Sequence, residues 1–130
     1  MVETEADVMQ VLNGSTIKFC LDTGHMIIGG TDPVAFAKDI KSVLADDGIW
    51  YFEQSYMPLM LDRNSYDTAC HEHLEYSALK QIQWMAQRCG LRIVDVEFND
   101  VNGGSFSITA AHQSSKLRES LEVARILKEE

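Results

Sequence analysis

Two strand-like runs joined by a short turn do most to limit how this chain can fold. "LRIVDVEF" (91–98) and "SFSITAAH" (105–112) are rich in β-branched and aromatic residues, and "NDVNGG" between them holds turn formers. Such a pair returns on itself antiparallel. Upstream the pattern alternates. "ETEADVMQVLNG" has Val8, Val11 and Leu12 at helical spacing and stops at Asn13-Gly14, and "IKFCLD" (17–22) reads as a strand. "TDPVAFAKDIKSVLADDG" predicts a helix capped by Thr31 or Asp32, opened by Pro33 and ended by Gly48, with Val34, Ala37, Ile40, Val43 and Leu44 on one face. "IWYFEQ" (49–54) is a strand whose nearly continuous apolar start predicts burial on both faces.

A long loop follows, from about Ser55 to Tyr76, then a helix from a Ser77 cap to Arg88, with Leu79, Ile82, Met85 and Ala86 inward and Gly90 as the stop. The last helix, within 115–130, carries a thin stripe of Leu117, Leu121, Ala124 and Leu127. The order α-β-α-β-α-β-β-α predicts a single α/β domain over residues 1–130, with a terminal antiparallel hairpin and flanking helices.

The formal charge of −9 argues against nucleic acid or an anionic membrane as partner, because both need clustered Lys and Arg. No apolar run approaches the roughly 20 residues that span a bilayer, and acids stand where a signal peptide has basic residues. Cys20, Cys70 and Cys89 are far apart and form no CxxC pair, so free thiols in a reducing cytoplasm are expected.

The chemistry-bearing feature is "DTACHEHLEYSAL" (67–79), which places His71, Glu72 and His73 in consecutive positions inside the long loop. An unperturbed imidazole titrates near pH 6.5, which suits it to proton abstraction near neutrality. A metal at His71 and His73 is the weaker reading, because no third ligand is obvious beside them.

From about Asp32 to Glu130 the sequence resembles the back half of the S-adenosylmethionine-dependent sugar C-methyltransferases. "DPVAFAKDIKSVLADDGIWYFEQSYMPLML" looks like the helix, fifth strand and following loop of their Rossmann-like domain. "SYDTACHEHLEYSAL" is similar to their tyrosine-His-Glu-His-leucine-serine-tyrosine signature, and "CGLRIVDVEFNDVNGGSFSI" to their sixth strand, Gly-Gly-Ser turn and seventh strand. The resemblance implies that His73 is the base that removes a proton beside a sugar carbonyl, with Glu72 next to it. The resulting enolate would take the methyl group of S-adenosylmethionine. It also implies substrate contacts at Cys70, His71, Tyr76, Gly103, Gly104 and Ser105, and a nucleotide-linked sugar as substrate. This chain departs from the pattern at Cys70, which replaces the signature tyrosine, at Glu75, which replaces serine, and at Asn102, where many relatives have histidine.

The resemblance leaves the cofactor side unfilled. No GxGxG turn occurs in the chain, so the cofactor-binding residues are unknown and the chain alone is expected to bind no S-adenosylmethionine. Residues 1–36 are similar instead to a segment of TIM-barrel sugar isomerases and epimerases of the inosose-dehydratase type, in which Asp22 and His25 would take the places of a metal ligand and a substrate contact. The other carboxylates of such a metal site are missing. The two resemblances overlap at "DPVAF", the mark of a chimera, with 1–31 foreign, 32–114 a half-Rossmann methyltransferase-like unit and 115–130 a terminal helix.

The expected spatial strand order is 17–22, 49–54, 105–112, 91–98, a mixed sheet with the first two strands parallel. Strand 17–22 would form an apolar edge and favour a homo-oligomer. The leading functional expectation is a methyltransferase-derived piece, inactive alone or completed by another chain. The alternatives are a non-catalytic oligomeric interaction module and a sugar-isomerase remnant with a metal at Asp22 and His25.

Overall fold

The computed structural model describes residues 32–65, 67, 69 and 75–130. Helix α1 (Pro33–Val43) leads into strand β1 (Ile49–Ser55) and a short helix α2 (Met57–Asp62). Helix α3 (Leu79–Arg88), strand β2 (Leu91–Asn99), a 3-10 turn (Val101–Gly103), strand β3 (Ser105–His112) and helix α4 (Leu121–Glu129) complete the order. The strands form one sheet in the order β1-β3-β2, with β3 antiparallel to both neighbours. That is the α/β arrangement and strand order the sequence predicts for these segments. Residues 3–13 and 17–22, on which the mixed sheet and the edge depend, lie outside the described residues.

Register decides which face is apolar. Phe52 lies opposite Ile108, which lies opposite Val96; Trp50, Ala110 and Ile93 form the next row, and Gln54, Phe106 and Phe98 the row beyond. An irregularity between Ile93 and Asp95 keeps β2 in phase. Onto this face pack Ala37 and Ile40 of α1, Leu79, Ile82 and Ala86 of α3, and Val123 and Ile126 of α4, as one buried cluster. Trp50 stacks on Phe52 at 4.2 Å between ring centroids, and Phe36 meets Trp50 edge-on. Burying each large side chain here stabilises by roughly 2–3 kcal/mol.

The opposite face is polar. Glu53 accepts hydrogen bonds from Asn99 Nδ2 and Ser107 Oγ, both at 3.0 Å. Strand β1 therefore alternates: Trp50 and Phe52 are buried while Ile49 and Tyr51 are exposed. Burial on both faces, expected from the apolar run, does not hold, because among the described residues the helices cover one side.

Several boundaries differ from the sequence reading, each for a local reason. Helix α1 starts as expected, with Asp32 Oδ1 accepting from Val34 N at 2.9 Å and Pro33 in the first turn. It stops at Val43 rather than near Gly48; Leu44 turns extended and its carbonyl accepts from His112 Nε2 at 3.0 Å. The expected long loop contains α2, which Pro58 opens. Helix α3 is capped at Ala78, not Ser77: the Gln81 side chain accepts from Ala78 N at 3.0 Å, and Ser77 instead bridges Tyr56. The terminal helix begins at Leu121 because residues before it run along β2. Ser120 N donates to Val94 O at 2.8 Å, and the Arg92 guanidinium donates to the carbonyls of Ser115, at 3.0 Å, and Leu117. Ser120 then caps the helix, and the phase shifts. Val123 and Ile126 are buried with Leu127 packed beside them, while Leu117, Leu121 and Ala124 are exposed.

Among the described residues Gly90, Gly103 and Gly104 carry positive φ, and Gly90 and Gly104 do so in different surroundings. Gly90 (φ 74°) ends α3 with open space around it; the nearest atom to an added Cβ is Lys41 Cε at 3.8 Å. Gly104 (φ 132°) sits against α2, where a Cβ would lie 2.5 Å from Leu59 Cδ2. Gly90→Ala should cost about 1 kcal/mol from backbone strain alone. Gly104→Ala should cost about 3–4 kcal/mol, since strain and overpacking add. Urea unfolding measures both, and equal losses would show that the Leu59 contact does not constrain the turn.

Candidate functional site

The C-terminal end of β1 meets the glycine turn before β3 and the residues that precede α3. Tyr56 follows the last strand residue, and its N–H donates to Gly104 O at 3.0 Å, tying β1 to the glycine turn. Met57 N donates to Ser77 O at 3.1 Å, so the chain leaving the His-Glu-His segment is pinned to the same point. The Tyr56 ring packs against Phe98 and Phe106, each at 4.9 Å between centroids. Its hydroxyl donates to Glu130 Oε1 at 2.7 Å. Burial, and then the Glu130 carboxylate that accepts this bond, push the phenol well above its ordinary range.

Beside this point lies a cleft of about 650 Å³ between the N-terminal turns of α1 and α3. Its apolar wall is Val34, Ile82, Trp84 and Met85, and its polar groups include Gln54, Glu75, Ser77 and Lys80. This size and mixture suit a small organic ligand held by a few polar contacts. Trp84 is 54% exposed, and the Arg88 guanidinium lies 4.1 Å from its ring centroid, so the rim combines an aromatic face with positive charge. Asp32 and Gln81 also line the cleft but are engaged in helix capping. The cleft stands at the C-terminal end of β1, where ligands bind in open α/β sheets.

The sequence-predicted residues fall into separate groups. Cys70, His71, Glu72 and His73 lie outside the described residues, as do Asp22 and His25. Glu75, two positions after His73, lines the cleft, and Tyr76 beside it is half-buried. Gly103, Gly104 and Ser105 are on the far side of Tyr56, against α2. The Ser105 hydroxyl is buried and donates to Val101 O at 2.9 Å, and Gly103 O accepts from Arg63, which also pairs with Asp100 at 2.9 Å. The turn thus touches Tyr56 but not the cleft lining. Among the described residues no three His, Cys, Asp or Glu side chains converge on a metal position, and no helix is long and apolar enough to cross a membrane. Those residues contain no glycine-rich strand-to-helix turn for the adenosyl cofactor, and of Asp32 and Glu75, the two acids that line the cleft, Asp32 caps its own helix.

Sequence reasoning missed Trp84, Lys80 and Glu130. Lys80 and Trp84 are four apart, hence on one helix face, a signal that was present in the sequence. Glu130 had none, because its contacts lie about fifty and seventy-four residues back.

Comparison with known proteins gives one informative likeness. A 91-residue stretch, 70% of the chain, is 36% identical to the C-methyltransferase NovU of Streptomyces niveus. The match spans 22% of NovU, so the chain corresponds to a minor part of that protein. No protein-family model matches the chain. The likeness to NovU supports the resemblance to sugar C-methyltransferases and does not bear on the isomerase-like reading of residues 1–36.

Tyr56 makes stability depend on alkaline pH. Below about pH 10 the phenol is protonated in both folded and unfolded chains, and its contribution is complete. As pH rises further the unfolded chain loses its proton first, the folded one holds it, and stability falls. Tyr56→Phe should cost about 1–2 kcal/mol at neutral pH and flatten the decline above about pH 10. Chemical denaturation across that range checks this; an unchanged slope in Tyr56→Phe contradicts it.

Proposed function

We propose that the chain forms the acceptor side of an S-adenosylmethionine-dependent C-methyltransferase, the part that holds a sugar bearing a carbonyl group and prepares it for methylation. The observation that carries this reading is the 36% identity with a C-methyltransferase. The position of the cleft beside Glu75, immediately after the His-Glu-His segment, supports it. S-Adenosylmethionine supplies the methyl group in this class of reaction, and another part of the enzyme would hold it.

The residues of this chain divide the remaining work. His73 takes the proton from the carbon beside the carbonyl, and Glu72 lies with it at the sugar. Gln54, Ser77 and Lys80 give the cleft donors and acceptors for sugar hydroxyls and for a linked phosphate. Trp84 offers a flat apolar face for a sugar or base ring. The apolar wall lowers the local dielectric, which strengthens each of these polar contacts.

The test needs a complete enzyme. Residues 32–130 are joined to the cofactor-binding half of a related C-methyltransferase, and methyl transfer to a nucleotide-linked ketosugar is measured. The graft should be active, and His73→Ala should lower kcat by about a hundredfold or more. Undiminished turnover in His73→Ala would remove His73 as the base.

A further inference from the structure

The side chain of Glu130 reaches across the molecule to the first turn of α3. Its Oε1 accepts from Leu79 N at 2.7 Å and from the Tyr56 hydroxyl at 2.7 Å, and its Oε2 accepts from Lys80 N at 3.0 Å. Helix α3 provides no capping side chain of its own for these amides; its N-cap is Ala78. A helix begins with unpaired N–H groups and a partial positive charge, so an anion placed there stabilises it. What is unusual is the source of the anion. It comes from the end of α4, on the far side of the sequence, and it ties together α3, α4 and the end of β1.

This contact lies directly under the functional segment. Ser77 and Lys80, which line the cleft, flank Ala78 and Leu79, which Glu130 and Gln81 hold. Arg125 is not available to compete for the carboxylate: it pairs with Glu122 at 2.7 Å and with Glu129 at 2.6 Å. Around the Tyr56–Glu130 contact stand the charged side chains of Arg125 and Glu129 from α4, with the backbone of Leu79 and Lys80 opposite.

We propose that Glu130 is a positioning residue: its carboxylate clamps the first turn of α3 to Tyr56 and so fixes the Glu75–Lys80 side of the cleft. The sugar-site reading gives this clamp its functional consequence, and the clamp itself rests on the contacts alone. It acts as a cap supplied in trans by a distant helix. Glutamine at this position keeps the acceptor oxygen but not the charge, and alanine keeps neither.

The test reads backbone amides in the 130-residue chain, so it succeeds or fails independently of any methyl transfer. The amide resonances of Leu79 and Lys80 should both move from their wild-type positions in Glu130→Ala, which removes the shared acceptor. Amide exchange at Leu79 and Lys80 should quicken about tenfold in Glu130→Ala, with partial rescue in Glu130→Gln, while the β2–β3 hairpin amides stay unchanged. Leu79 and Lys80 amide resonances that keep their wild-type positions in Glu130→Ala overturn the clamp. So does faster exchange spread evenly over hairpin and helix. If Glu130→Ala does not fold, Glu130→Gln decides: faster exchange at Leu79 and Lys80 with the hairpin unchanged is the expected result, and exchange equal to wild type overturns the clamp.

Discussion

The backbone hydrogen bonds that hold β3 between β1 and β2 set the geometry on which everything else rests. Ser105, the first residue of β3, lies opposite Ser55 on one side and Asn99 on the other. The turn before β3 is thereby fixed beside the end of β1. Gly104 can approach α2 only because it has no side chain, and its carbonyl then takes the N–H of Tyr56. From there the order propagates to Ser77 and to the first turn of α3. A change in the register of one strand would move every row of the apolar face and separate these segments.

The site that results is built around helix starts rather than strand side chains. The first turns of α1 and α3 both border the cleft, and each is satisfied locally or from a distance: α1 by Asp32, α3 by Gln81 and Glu130. Their amides are therefore engaged, and a ligand in the cleft would meet side chains instead. Lys80, Ser77, Gln54, Glu75 and the Trp84 ring are among the side chains that line it. Tyr56 links this arrangement to the aromatic layer of Phe98 and Phe106, so the site is anchored in the core and not carried on a free loop.

Much of the fold was legible in the sequence because it follows from short-range rules. The periodicity of 105–112, the Asp32-Pro33 helix start and the Gly90 stop each depend on neighbouring residues, and each stands as read. What the sequence concealed depends on distant partners. The end of α1 is set by His112, the start of α4 by Val94 and Arg92, and the cap of α3 by Glu130. The same holds for the site. Glu75 belongs to the signature and reaches the cleft with it, whereas Trp84 and Lys80 come to line the cleft only once α3 is set beside α1 and β1.

The central claim is that the cleft at the end of β1 receives the sugar. Titrating the isotopically labelled chain with a nucleoside-diphosphate ketosugar and following its amide spectrum tests this most directly. Saturable shifts centred on Gln54, Ser77, Lys80 and the Trp84 indole are the predicted result. Saturable shifts confined to the polar outer face of the sheet, around Glu53, Asn99 and Ser107, would contradict it, as would no shift at millimolar ligand.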